Sequence, residues 1–232
     1  MYVSNKNKTI ILLLVVLLVA LSIVAASLVL NKKTLTYDEK VAGFVSENPK
    51  LEKGQIVFIG DSITAGYKLN LHYFDSDLKT YNRGISGDTT DWMLARLQVS
   101  LFDLQPSKVV LMIGTNDINA GKSADEIAAN YQAILSLISS NLPDAEVICV
   151  SIIPQNTTYS DDAAENNLRI RKTNEKIEFL ASSYGYGYIN LYDQLTDDDG
   201  LLMQGCSKDG LHLNFIGYIR WTKALKDTLY KI

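Results

Sequence analysis

Ser62 stands where an apolar run meets a polar turn, and its hydroxyl is a group that could do chemistry. The apolar residues 56–59 are followed by Gly60, Asp61 and Ser62. A glycine permits a tight turn, and a buried strand of a parallel sheet presents the residues after its carboxyl end to a ligand. Ser62 is therefore a candidate nucleophile. An equally good interpretation is that its hydroxyl caps the following helix, as serines often do before an apolar run.

A histidine that could activate such a serine lies near the end of the chain. Asp209 stands three residues before His212 in a predicted loop. A carboxylate at that spacing can hydrogen-bond the imidazole and fix its tautomer, which leaves the other ring nitrogen free to take a serine proton. The second histidine, His72, is expected to be structural or exposed. His212 differs because it has this acid and directly precedes a predicted closing helix.

Two more polar turns follow strand-like runs. A loop containing Gly84 and Gly87 opens a predicted helix, and a glycine loop at that position supplies free backbone N–H groups. The apolar run 108–113 ends on a turn that contains Asn116, whose amide can donate a hydrogen bond without bringing a charge. Since the carboxyl ends of parallel strands meet at one edge of a sheet, these two turns are expected beside Ser62.

The elements that must position these residues alternate along the chain between strand-like and helical patterns. Short runs rich in β-branched residues predict strands, and apolar positions at a spacing of three or four predict helices. This alternation is typical of an α/β fold with a parallel sheet of about five strands. One predicted strand starts at residue 55, and four others cover residues 80–82, 108–113, 146–153 and 188–191. Predicted helices cover residues 36–48, 161–184 and 214–230, and two more start near residues 90 and 123.

Length and composition leave room for one domain. The chain has 232 residues, 47% of them hydrophobic, which suits one α/β domain of roughly 200 residues. We predict a lead-in helix and linker at residues 34–54 and the domain at residues 55–232.

Charge and cysteine content exclude several classes of function. Without the four lysines of residues 1–33, the chain keeps 18 basic and 26 acidic residues, a net charge of −8. An acidic body without a basic run argues against nucleic acid as a partner. Cys149 and Cys206 form no disulfide framework, and two histidines are too few for the usual zinc sites. We therefore predict neither a metal nor a cofactor.

Residues 10–30 form an apolar segment that could cross a membrane. These 21 residues carry no charge, and lysines flank them on both sides. As a helix they would span about 31 Å at ~1.5 Å per residue, enough for a bilayer. The alternative is a cleaved signal peptide, because residues 25–27 are small. The apolar run continues past them, which favours an uncleaved signal anchor over residues 1–33. We expect a single-pass membrane protein with its domain outside the cytoplasm, or a secreted one if the segment is cleaved.

Taken together, four sequence blocks resemble the SGNH (GDSL) hydrolase family. They are Gly60-Asp61-Ser62 and residues 84–88, 114–117 and 209–212, and they stand in the family's order. The resemblance runs from about residue 55 to the end of the chain. The family members that the chain resembles are lysophospholipase-like and acetylhydrolase-like. The resemblance implies a flavodoxin-like, three-layer α/β/α fold.

The resemblance also implies roles for individual residues. Ser62 would be the nucleophile, His212 the base and Asp209 the group that orients the base. The backbone N–H groups of Ser62 and Gly87 and the side-chain amide of Asn116 would form the oxyanion hole. Gly84 is the alternative glycine, because the loop contains two.

The expected activity is hydrolysis of carboxylic esters through a serine acyl-enzyme, with short acyl or O-acetyl esters as substrates. Lysophospholipase and thioesterase activities are alternatives, and the loops at residues 69–77 and 155–162 would select among them. Acyl transfer to an alcohol uses the same three side chains, so it is a further alternative. A glycan- or lipid-binding module without catalysis is the alternative from another functional class. The expected partners are a small-molecule, glycan or lipid ester and, through the segment at residues 10–30, a membrane.

Overall fold

A computed structural model of the chain divides it into two units, Met1–Asp38 and Glu39–Ile232. The second unit contains all the residues that the four sequence blocks single out. The residues that the structure describes are Leu14, Val15, Leu17, residues 36–74, Asp77 and residues 79–229.

The predicted membrane anchor at residues 10–30 lies outside the described residues, except for three helical positions, Leu14, Val15 and Leu17. Within the described part of the chain, no helix has the length and apolar character needed to cross a membrane. The lead-in region predicted at residues 34–54 is represented by a helix, Tyr37–Glu47, and a short 3-10 turn, Asn48–Lys50.

Five strands form the sheet at the centre of the second unit. They are β1 Ile56–Gly60, β2 Thr80–Gly84, β3 Lys108–Met112, β4 Glu146–Val150 and β5 Gly187–Ile189. Their order across the sheet is β2-β1-β3-β4-β5, and every neighbouring pair is parallel. This is the flavodoxin-like order, and the chain reverses its direction of winding between β1 and β3. The prediction of an α/β fold with about five parallel strands is confirmed.

Helices connect the strands. Ser123 and Glu126 form the capping box at the start of the helix over residues 124–141. The α-helices are α1 Tyr37–Glu47, α2 Ser62–Gly66, α3 Leu69–His72, α4 Thr90–Ser100, α5 Thr115–Asn119, α6 Ala124–Asn141, α7 Ala163–Ser183, α8 Leu191–Leu195 and α9 Phe215–Leu229.

Strand β4 ends earlier than the sequence predicts. The apolar run extends to residue 153, but the strand ends at Val150, and Ile152 is buried outside it. The neighbouring β5 ends at Ile189, so no strand is available to pair with Ile152. The side chain of Asn174 replaces the missing strand, because it accepts from the Ile152 N–H at 2.8 Å and donates to the Ile152 carbonyl at 2.9 Å. The apolar run correctly indicated burial, but it did not show where the strand ends.

The two faces of the sheet are covered by different helices. Val57 and Ile59 of β1 belong to one buried cluster, with side chains of α4, α6 and α7 such as Leu97, Ile134 and Ile170. Successive residues of a strand point to opposite faces. The result on this side is a layer of three helices packed on the sheet.

The opposite face has its own cluster. Ile56 and Phe58 pack there with Ile63 of α2, Leu191 of α8 and Trp221 of α9. Trp221 is fully buried. Because both faces of the sheet are covered, the three central strands β1, β3 and β4 consist of nearly continuous apolar residues rather than alternating ones. The structure thus has three layers, and the edge at which the strands end is left open for a site.

Candidate active site

Ser62 is the first residue of α2, two residues after the end of β1. The N-cap of this helix is Asp61, whose Oδ1 accepts the Ile63 N–H at 2.9 Å. The interpretation of Ser62 as the helix cap is therefore wrong, and its half-buried hydroxyl is available for other contacts. Gly60 makes the sharp connection possible, because a Cβ there would lie 2.2 Å from the Met112 carbonyl oxygen.

The structure brings Ser62, His212 and Asp209 together. His212 Nε2 lies 3.0 Å from Ser62 Oγ, and His212 Nδ1 lies 2.8 Å from Asp209 Oδ2. Ser62 and His212 are 150 residues apart in the chain, and the contact joins the end of β1 to the loop that precedes α9. A proton on Nδ1 leaves Nε2 as an acceptor for the serine proton.

The loop that carries Asp209 also orients its carboxylate. Oδ1 accepts the N–H groups of Leu211 at 3.0 Å and His212 at 2.8 Å, which leaves Oδ2 for the imidazole. Partial burial acts to raise the pKa of Asp209, but the hydrogen bonds from the His212 ring and from these two N–H groups hold it well below its usual range. The carboxylate therefore stays ionised at neutral pH.

Strands β2 and β3 end at the same level as β1, so the turns that follow them lie beside the turn that carries Ser62. Gly60 is in register with Gly84 on one side and Met112 on the other. Half-buried Asn116 lies in α5, and its Nδ2 donates to the Asp88 carbonyl at 2.8 Å. The predicted meeting of these turns at one sheet edge is what the register shows.

Gly84 and Gly87 have different surroundings. The Gly84 N–H donates to Asn82 Oδ1 at 2.9 Å, and a Cβ on Gly84 would lie 2.2 Å from the Ala65 backbone nitrogen. Gly87 has a φ of +81°, with open space where a Cβ would be. The N–H groups of Gly87 and Ser62 have no acceptor in the described part of the chain. Gly84 thus serves packing, and the contacts favour Gly87 as a donor to a ligand.

Asp61 is a buried acid beside the candidate nucleophile. Its side chain is fully buried, and Oδ2 has no hydrogen-bond partner among the described residues. Burial raises the pKa of Asp61 from 3.8 to about 6, although the Ile63 N–H acts in the opposite direction. In the sequence, Asp61 stands out only as part of the block Gly60-Asp61-Ser62.

Arg96 and Asp88 form a buried ion pair that was not predicted from the sequence. Arg96 Nη2 lies 2.6 Å from Asp88 Oδ2, and both side chains are almost completely buried. A signal was present, because Arg96 lies on the same helical face as the apolar Met93 and Leu97. A charge on a buried face requires a partner, and Asp88 stands in the glycine loop itself.

His72 belongs to another buried cluster. Its Nδ1 lies 2.9 Å from Thr222 Oγ1, and its ring packs against Tyr67 and Phe215. Burial lowers the pKa of His72, which favours the uncharged form of its imidazole. These contacts agree with the structural role predicted for it.

A groove of about 550 Å³ opens beside the imidazole. His212 and Asp209 line one part of it, and Leu213, Phe215 and Ile216 line another. Phe215 is 62% exposed, so much of its ring is accessible to a ligand. The groove could hold an apolar part of a ligand next to the imidazole.

No site for a metal is evident in the described residues. They contain no group of three or more histidine, cysteine, aspartate or glutamate side chains arranged to hold an ion. Cys149 and Cys206 are both buried and unpaired.

Comparison with known proteins gives one family and several relatives. A model of the GDSL-like lipase/acylhydrolase family matches residues 58–220. Subunit alpha1 of platelet-activating factor acetylhydrolase IB from Bos taurus is 28% identical over 197 residues, which cover 82% of this chain and 80% of that protein.

Solved structures resemble the fold over most of its length. A Streptococcus pneumonia protein described as a platelet activating factor has a TM-score of 0.77 and 31% identity, and the match covers 91% of this chain and 99% of that one. An acetylxylan esterase from Geobacillus stearothermophilus has a TM-score of 0.61 and 16% identity, and the match covers 78% and 98% of the two chains. At that identity the second likeness shows the fold alone.

Proposed function

Because the chain belongs to the GDSL-like lipase/acylhydrolase family, whose members are ester hydrolases, we propose that it cleaves carboxylic esters through Ser62, His212 and Asp209. The observation that supports this most strongly is the continuous hydrogen-bond chain from Ser62 Oγ through the imidazole to the Asp209 carboxylate, with distances of 3.0 and 2.8 Å. An unassisted serine is a poor nucleophile at neutral pH, and a positioned imidazole removes that limitation.

In the first half of the proposed reaction, Ser62 Oγ attacks the ester carbonyl carbon while its proton moves to His212 Nε2. Asp209 stabilises the imidazolium through its bond to Nδ1. The imidazolium then gives the proton to the departing alcohol oxygen as the ester C–O bond breaks. The acyl group remains on Ser62.

The carbonyl oxygen becomes negatively charged when Ser62 adds to the carbon. We propose that the N–H groups of Ser62 and Gly87 and the amide of Asn116 donate to this oxygen. Donors already in place cost no reorganisation during the reaction, and each contributes about 2.7–4 kcal/mol in comparable sites.

In the second half, a water molecule attacks the acyl-enzyme. His212 Nε2 takes a proton from this water, and the same three donors hold the oxyanion. Collapse breaks the bond to Ser62 Oγ, which regains its proton from the imidazolium, and the carboxylic acid leaves.

For the substrate, we propose short acyl esters. The support is the name of the relatives that share 28–29% identity with this chain, which are acetylhydrolase subunits. A second candidate, a lysophospholipase or thioesterase, is favoured by one observation, the exposed Phe215 and Ile216 in the groove beside His212. Apolar side chains there would accommodate a long alkyl chain.

The test compares p-nitrophenyl esters from acetyl to palmitoyl, with the full chain in a mild detergent. Ser62→Ala should reduce kcat at least about 10³-fold, because no other group on this path forms the acyl-enzyme. Ser140→Ala, an exposed serine of α6, is the matched control and should keep wild-type turnover.

The chain-length profile separates the substrate candidates. Turnover that falls steeply beyond acetyl or butyryl supports short acyl esters, and turnover that rises towards palmitoyl supports the lipid candidate. Full turnover in Ser62→Ala would contradict the proposed function.

We also propose that residues 10–30 anchor the chain in a membrane with the hydrolase domain outside the cytoplasm. The support is the uncharged apolar sequence between two pairs of lysines. The full chain should stay with membranes after alkaline carbonate washing and should be degraded by protease added to intact cells. A mature protein that begins after residue 27 would instead establish a cleaved signal peptide.

A further inference from the structure

One buried arginine lies behind the candidate oxyanion donors. Arg96 of α4 is 1% exposed. Its Nη2 donates to the Gly60 carbonyl at 3.0 Å, its Nη1 to the Arg83 carbonyl at 2.8 Å and its Nε to Asp88 Oδ2 at 2.8 Å. Each nitrogen of the guanidinium thus has an acceptor, which is what a fully buried arginine requires.

The groups that Arg96 binds adjoin the three donors. The Gly60 carbonyl lies two residues before Ser62, and Asp88 directly follows Gly87. The Asp88 carbonyl accepts the Asn116 amide at 2.8 Å. One rigid group therefore connects the end of β1, the end of β2 and the glycine loop, and the loop in turn fixes Asn116.

Resting on the function proposed above, we propose that Arg96 is a positioning residue for the oxyanion hole. It holds the N–H groups of Ser62 and Gly87 and the amide of Asn116 at the separation at which all three reach one oxygen. Arg96 does not touch the substrate in this arrangement, since it is buried beneath the loop.

The chemistry of the side chain explains why an arginine occupies this position. A guanidinium is planar and directs several N–H groups into fixed directions, so it can hold two carbonyls and a carboxylate at once. A lysine would carry the same charge at a single point on a flexible stem. Displacement of reacting groups by about 1 Å can cost 10²-fold in rate. A side chain that holds these groups less firmly than Arg96 should therefore lower kcat.

A purely structural ion pair makes a different prediction. In that case the replacement of Arg96 would lower the stability of the fold, and the active molecules that remain would turn over at the wild-type rate. The two interpretations are separated by kcat per folded active site rather than by stability.

The first variant is Arg96→Lys, assayed as the full chain with p-nitrophenyl acetate. Active sites are counted by titration with an organophosphate that labels Ser62, and folding is checked by circular dichroism. We expect kcat per active site to fall about 10- to 100-fold, with KM within about threefold of wild type, because the donors act on the transition state.

The decisive measurement is a double-mutant cycle with Asn116→Ala. In the wild-type background this change should cost about 10²–10³-fold in kcat. In the Arg96→Lys background it should cost less than about tenfold, because the amide is already misplaced. Independent effects that simply multiply would overturn the inference.

Two further variants protect the test. Arg220→Lys is the control, because it makes the same exchange at an exposed arginine of α9 whose side chain donates to the Gln194 carbonyl and not to any group that Arg96 binds. It should keep the wild-type kcat. Asp88→Asn is the second variant if Arg96→Lys fails to fold, and it should lower kcat about tenfold or more, since the neutral amide holds the guanidinium less firmly.

The outcomes distinguish the two proposals. If wild-type turnover depends on Ser62 but folded Arg96→Lys or Asp88→Asn keeps the full kcat, the positioning role of Arg96 is wrong and the proposed function stands. If the wild-type chain turns over no ester through Ser62, the proposed function fails, and this inference fails with it.

Discussion

The four-residue loop from Asp209 to His212 orients the imidazole with hydrogen bonds of its own. One carboxylate oxygen accepts the backbone N–H groups of the loop, and the other accepts the imidazole. These bonds stabilise the ionised form of Asp209, so the carboxylate stays charged in the neutral range. The acid therefore acts as a fixed acceptor, and the proton that moves in the proposed reaction is carried by the imidazole.

Asp209→Asn should lower kcat by about 10²–10⁴-fold. An amide can present its NH₂ to the ring and favour the tautomer with its proton on Nε2, which cannot accept from Ser62. The kcat for p-nitrophenyl acetate measures the effect, with circular dichroism as the check on folding. A folded variant within about threefold of wild type would mean that Asp209 is not the orienting acid.

Asn116→Ala should lower kcat about 10²–10³-fold and change KM little, because the amide would donate to a charge present only in the transition state. The matched control is Asn119→Ala, which removes an exposed asparagine from the same short helix. The control should stay near the wild-type kcat. Equal losses in the two variants would point to a general disturbance of α5 instead.

Asp61→Asn should change how stability depends on pH. Burial raises the pKa of Asp61 to about 6, so between about pH 4 and 6 the folded chain keeps a proton that the unfolded chain releases. This group therefore lowers the free energy of unfolding as pH rises through that window, by roughly 3 kcal/mol in total, and the penalty is complete above about pH 6.

An asparagine does not titrate, and its Oδ1 can still accept the Ile63 N–H. The stability of Asp61→Asn relative to wild type should therefore increase from about pH 4 to pH 7. Urea unfolding at a series of pH values measures this difference. A difference that is constant over the series would contradict the raised pKa.

At the scale of elements, the position of Ser62 depends on how closely α2 packs against β1 and β2. Gly60 and Gly84 are paired in register, and both lack the Cβ that would meet a neighbouring backbone atom. On the other side of α2, Tyr218 of α9 donates its hydroxyl to the Ile63 carbonyl at 2.7 Å. Two strands and the last helix thus hold the short helix that carries the serine.

Gly84→Ala should lower both stability and activity. The added Cβ would lie 2.2 Å from the Ala65 nitrogen, so the backbone of α2 must move. Such overpacking costs about 1–3 kcal/mol, and the displacement of Ser62 should reduce kcat as well. Urea unfolding and ester turnover measure the two effects.

Gly43→Ala is the control for this substitution. Gly43 lies within α1, with open space at its Cβ position, so alanine there should stabilise the chain by about 0.5–1 kcal/mol. If Gly84→Ala behaved in the same way, the close approach of α2 to β2 would be wrong.

At the scale of the whole molecule, the residues of Glu39–Ile232 form one unit with a core on each face of the sheet. Strands β1, β3 and β4 contribute residues to both cores, because neighbouring residues of a strand point to opposite sides. Damage to one core should therefore unfold the other.

Ile134→Ala tests this coupling. Ile134 is buried in the core beneath α6, and its truncation should cost about 2–5 kcal/mol. Trp221 reports on the opposite core, and a Trp92→Phe background removes the exposed tryptophan. The unfolding midpoints from Trp221 fluorescence and from circular dichroism should decrease together. Midpoints that separate would indicate that the two cores unfold independently.

The sequence by itself determined the alternation of elements, the parallel sheet and the turns that carry Ser62, Gly87 and Asn116. These features depend on local causes, which are apolar runs of strand length, helical spacing and glycines at tight turns. The bond between Asp209 and His212 is also local, because the two residues lie three positions apart in one loop. Such causes act within a few residues and can be read along the chain.

Only the tertiary structure decided the features that depend on what lies across space. It showed that Asp61 rather than Ser62 caps α2, and that β4 ends at Val150 because β5 offers no further partner. It also paired Arg96 with Asp88, the end of β1 and the end of β2. A buried hydrogen bond takes whichever partner the fold brings within about 3 Å, and no periodicity in the sequence encodes that distance.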